Sequence, residues 1–113
     1  MANILNFPFD GVKGTLGLNV ETVYRVDEVT SGTNAANKVE FFHNVASATG
    51  TAVWITTAEF TSAISIAQLT LLEKAVRDVK QTPNGSIDIS TLDDTLILEK
   101  TVPFVTATGA QPS

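Results

Sequence analysis

His43 is the single histidine of the chain, and so the first residue to weigh for chemistry. It sits in the run Val39 to Val45, with Phe41 and Val45 sharing its face if the segment is extended. Neither a Ser-His-Asp nor a Cys-His arrangement is excluded by order alone, but no neighbouring residue supports one. A packed or interfacial histidine is the stronger reading, and a small hydrolase built on His43 is the remote one. Zinc needs several converging His, Cys or carboxylate ligands, and the chain has one His and no Cys. Asp93 and Asp94 are adjacent, whereas calcium loops alternate their oxygen ligands and add a glycine and a terminal bidentate acid. A turn cap suits that pair better. Asp27 and Glu28 precede a Thr-Ser-Gly loop and would hold a cation only weakly. Gly11, Gly14 and Gly17 recur every three residues, but they form neither a dinucleotide fingerprint nor a phosphate loop. The expectation is therefore no catalytic residues, no metal ligands and no cofactor. Trp54 and Phe42 remain, as an exposed pair for sugar or partner binding, as a subunit contact, or as core on a two-sided sheet.

The clearest positioning element is residues 65–81, SIAQLTLLEKAVRDVKQ. Leu69, Leu72, Val76 and Val79, with Ala75 beside them, have the spacing of one buried helical face. Ser65 and Gln68 have the spacing of a capping box, with Ile64 and Leu69 at the staple positions. Glu73 and Arg77 are four apart in the favourable order. Thr82-Pro83-Asn84-Gly85 ends the helix, because proline stops it and Asn-Gly turns. Such a helix needs an apolar surface to lie on.

Strands supply that surface. Over residues 15–29 the even positions run Leu16, Leu18, Val20, Thr22, Tyr24, Val26, which predicts one long strand with that face inward. Residues 30–37 read as a loop. Residues 38–45 place Val39, Phe41, His43 and Val45 on one face and Glu40, Phe42 and Asn44 on the other. Residues 51–57 make a third strand, and the short glycine-containing link between the two predicts a hairpin. Residues 86–89 and 95–105 follow the helix, with Pro103 confining its end to an edge or bulge. The predicted fold is α+β, a mostly antiparallel sheet with a single amphipathic helix packed on one face, in the order β-β-β-α-β-β. Residues 1–14 read as an apolar arm, 15–106 as a single domain and 107–113 as a polar tail. The arm carries Ile4, Leu5, Phe7 and Phe9. It covers an edge of its own domain or reaches into a neighbour, and in the second case deleting residues 1–9 should leave a folded domain.

The chain has 113 residues, enough for one core without staples. Its charged fraction is 17%, below the usual quarter or so, which suits a surface partly covered by neighbours or simply a neutral, Thr-rich one. Net charge is −5 and the basic residues are scattered, which argues against nucleic acid and anionic membranes as partners. Nothing at the start resembles a secretory signal, so synthesis and residence in a cytoplasm are expected, unless the chain leaves within something larger.

As an ordered pattern, residues 20–105 resemble small virion structural proteins of tailed, especially marine, bacteriophages. The stretches that carry the resemblance are VETVYRVDEV, KVEFFHNV, TAVWITT, LTLLEKAVRDVK and SIDIS. The resemblance implies a non-enzymatic capsid decoration or cement protein. It would be assembled in the host cytoplasm, reside in the virion and stabilise the shell through protein–protein contacts. Its partners would be itself, as a homo-oligomer such as a trimer, and the major capsid or another virion protein. It lends no catalytic residues. The residues expected to make contact are Ile4, Leu5, Phe7, Phe9, Phe42 and Trp54. The alternative is a stand-alone binding module, an adhesin or carbohydrate-binding head, using Trp54 and the Thr-rich loops.

Overall fold

The computed structural model describes residues 3–10, 15–47 and 50–106, with side chains described at these positions except 45–47, 50–54 and 100–106. The chain runs β1 (Ile4–Pro8), β2 (Thr15–Asn19), β3 (Val23–Glu28), β4 (Lys38–Ser47), β5 (Gly50–Phe60), α1 (Ile66–Lys80), β6 (Ser86–Asp88) and β7 (Leu98–Thr106). The strands form two sheets rather than one, ordered β2-β1-β6 and β3-β4-β5-β7. Among the described residues the strand pairings are antiparallel except β1 with β6, and a single parallel bridge joins Phe9 to Leu98 of β7. The class is α+β, with one α-helix among the described residues, as the periodicity predicts.

The segment read as an apolar arm, covering an edge of its own domain or reaching into a neighbour, is the middle strand of the three-stranded sheet. Its alternation puts Leu5 and Phe7 inward, at 0% and 1% exposure. Phe7 meets Phe41 edge-on at 6.0 Å and Phe60 at 5.9 Å, so one ring joins the two sheets. A short strand whose period is hard to read from sequence is thus part of the core, with alternate residues Leu5 and Phe7 buried. Asn3 is buried too, and its Nδ2 donates to the Val79 carbonyl at the helix end, 2.9 Å away.

Residues 15–29 also depart from expectation, forming two strands in different sheets. Asn19 Oδ1 accepts from the Glu21 amide at 3.0 Å, and the Val23 amide donates to the Val20 carbonyl at 3.1 Å. That side-chain acceptor starts a turn, which the run of alternating residues conceals. Beyond the turn the phase shifts: Val23 and Val26 are buried, and a register irregularity lies between Val23 and Arg25. Tyr24, expected inward, is 53% exposed.

The other elements follow their sequence signals. β4 and β5 pair along their length from Lys38↔Glu59 to Ser47↔Gly50, the predicted hairpin. Val39, Phe41 and His43 are buried on its inner face. The helix begins with the capping box of Ser65 and Gln68, and buries Leu72, Ala75, Val76 and Val79. Ile64 and Leu69 pack against the same core. The ion pair on its surface is Lys74–Asp78, 2.7 Å, and among the described residues Glu73 and Arg77 form none. At the helix exit Asn84 adopts φ 56°, and Gly85 is packed so closely that a Cβ there would lie 2.7 Å from the Val79 carbonyl oxygen. The loop over residues 30–37 contains a short 3₁₀ turn, Ala35–Asn37, and it is pinned by Asn37 Nδ2 to the Phe60 carbonyl and by the Ile64 amide to the Ala36 carbonyl.

Candidate functional site

Strands β3 and β4 place Arg25 opposite Phe42 and Asp27 opposite Glu40. Directly opposed residues share a face, and since Val26, Phe41 and Val39 point inward, these four point outward. The Arg25 guanidinium lies 4.9 Å from the centre of the Phe42 ring and pairs with the Asp27 carboxylate. The displaced register at Tyr24 swings its ring onto the same outer surface, 6.4 Å from Phe42 and edge-on. Burial raises the Glu40 carboxyl above its ordinary value, the nearby Asp27 adds to this, and Arg25 opposes it. The result is a half-exposed patch of two rings and a guanidinium, a combination suited to a protein partner or a planar ligand.

Beside this patch a groove of about 360 Å³ separates β3 from α1. Val23 to Val26 form one wall, and Glu73, Val76, Arg77 and Lys80 most of the other. Lys80 Nζ donates to the Val23 carbonyl at 2.6 Å and closes one end.

The residues that could have done chemistry are occupied structurally. His43 is 2% exposed. Its Nδ1 lies 3.0 Å from the Thr22 hydroxyl and its Nε2 2.9 Å from the Thr56 hydroxyl, so it ties the turn before β3 to β5. Burial lowers its pKa. Asp93 caps its own turn: its carboxylate accepts from the Thr95 hydroxyl and amide and from Gln68 Nε2, which hold its pKa low. Among the described residues, no group of three or more His, Cys, Asp or Glu is placed to hold a metal ion. Nor is any helix there long and apolar enough to cross a membrane.

Of the expected contact residues, Leu5 and Phe7 are interior and unavailable to a partner. Ile4 and Phe9 are partly buried, and Phe9 packs on the core. Phe42 is half-buried on the outer face. The Trp54 side chain lies outside the described residues; in register Trp54 opposes His43, whereas Phe42 opposes Ile55. Sequence reasoning missed Tyr24 and Arg25. The available signal was the polar pair Glu21-Thr22 after Asn19, which marks a turn inside an otherwise uniform alternation.

These features define a one-helix, two-sheet α+β protein with an aromatic and guanidinium patch on an outer strand pair. Comparison with protein-family models, with curated proteins and with solved structures finds no match to this chain.

Proposed function

We propose that this chain is a non-enzymatic structural protein of the virion, of the capsid decoration or cement kind, acting by docking onto other shell proteins. The observation that carries the reading is the half-exposed cluster of Tyr24, Arg25 and Phe42. Tyr and Arg are among the residues most enriched where interfaces concentrate their binding energy. The lightly charged surface is consistent with coverage by neighbours, and the ordered resemblance to small phage virion proteins supplies the kind of assembly. The contact set moves accordingly: Tyr24 and Arg25 join Phe42, while Leu5 and Phe7 leave it.

The test is co-sedimentation of the purified chain with assembled capsids of the virus that encodes it. The chain should pellet with the shells at a fixed stoichiometry. Tyr24→Ala combined with Phe42→Ala should weaken that binding by about 30-fold or more, the scale of a lost hot spot, while leaving the far-ultraviolet spectrum unchanged. A chain that stays in the supernatant at every ratio overturns the reading.

A further inference from the structure

We infer that the outer edge of β3 is a self-association surface, on which a second copy of this chain pairs antiparallel about a twofold axis at Val26. β3 is the terminal strand of its sheet. Its polar backbone can be assigned from two bonds: the Asn44 amide donates to the Thr22 carbonyl at 2.9 Å, and the Val29 amide to the Lys38 carbonyl. Antiparallel ladders alternate, so Arg25, Asp27 and Val29 present their backbone groups to β4, whereas Val26 and Glu28 present theirs away from it. Those outward groups are the template on which another strand can hydrogen-bond. Lys80 takes the Val23 carbonyl and so ends the available edge at Tyr24. Beyond that point the edge borders the groove between β3 and α1.

The occupant is chosen by charge. Antiparallel pairing about Val26 sets Arg25 of one copy opposite Asp27 of the other, and the twofold repeats the pair. Shifting the axis to Arg25 or Asp27 would oppose like charges. Cross-strand pairs of opposite sign stabilise and like pairs destabilise, so the strand selects this single register with itself. Both residues already form an ion pair within the chain, so the exchange between copies needs only small side-chain movement. The outward groups of Tyr24, Arg25 and Asp27 then line a continuous face across both copies, doubling the patch described above. Such pairing through a self-complementary edge is the usual twofold, isologous arrangement.

Sedimentation velocity of the full chain over a range of concentrations tests this. A dimer should form at micromolar concentration. Arg25→Asp and Asp27→Arg should each raise its dissociation constant by about tenfold or more, and the double variant carrying both exchanges should restore it, since the opposed pairs are then merely reversed. Circular dichroism establishes that each variant is folded. A chain that is monomeric throughout overturns the self-pairing, as does a dimer indifferent to both single exchanges, or one that the double exchange fails to restore. None of these outcomes bears on co-sedimentation with capsids, so the two proposals fail separately.

Discussion

In the unfolded chain the His43 imidazole titrates near its ordinary value of about 6.5, whereas in the fold burial holds it lower. The folded state therefore binds fewer protons in the interval between the two values. Stability is fully present above about pH 6.5 and declines as pH falls below it, at up to about 1.4 kcal/mol per pH unit. Glu40 acts with the opposite sign at lower pH, because its raised carboxyl value favours the protonated fold. Urea titrations at pH 7.5 and pH 6.0 separate the two. The wild type should lose stability between them, and His43→Gln, which keeps an amide between the threonines, should flatten the difference. A second site tests packing. At Gly85 an added Cβ would meet backbone carbonyls of Val79 and Thr82 at 2.7 and 3.0 Å. Gly85→Ala should cost about 1–3 kcal/mol, read as a fall in Tm of several degrees.

The strand β1 has neighbours on both sides: Leu5 pairs with Leu18 in β2 and with Ile87 in β6. Removing residues 1–9 would expose two strand edges and take Phe7 from between Phe41 and Phe60. The truncated chain should therefore lack a cooperative thermal transition, contrary to what an external arm would give. At the helix, Ser65→Ala should cost about 1 kcal/mol, since the hydroxyl accepts the Gln68 amide at 3.1 Å and no other group replaces it there. These two elements also show what could be read in advance. The helix was legible because its apolar spacing, cap, staple and stop all agree within about twenty residues. The hairpin was legible because two strand-like runs flank a short glycine-containing link. β1 was not, because five residues around a proline show too little alternation to separate a core strand from a greasy tail. The break at Asn19 to Val23 was hidden because the turn is made by a side chain, and an apolar alternation runs up to it through Leu16 and Leu18 and resumes after it with Val23 and Val26. The outward patch depends on that break, so it was missed along with it, the polar pair Glu21-Thr22 being the one signal of the turn.

At the scale of the whole molecule, the interior rests on contacts between distant parts of the chain. The three-stranded sheet joins the beginning of the sequence to the segment after the helix, and Phe7 welds it to the larger sheet. On the proposed reading, the lightly charged exterior and the β3 edge are the surfaces offered to other proteins, β3 being one of the terminal strands of the two sheets. The parallel alignment of β1 with β6 has a temporal consequence. Asn6 Nδ2 donates to Asp88 Oδ1 across 82 positions, 3.0 Å apart. On a ribosome adding roughly 5–20 residues each second, the first strand emerges several seconds before its parallel mate has been made. Throughout that wait one of its flanks stays open to misadventure. A nascent chain stalled before residue 86 should consequently be cut by protease near its start, and release from the stall should bring protection only once translation has passed Asp88.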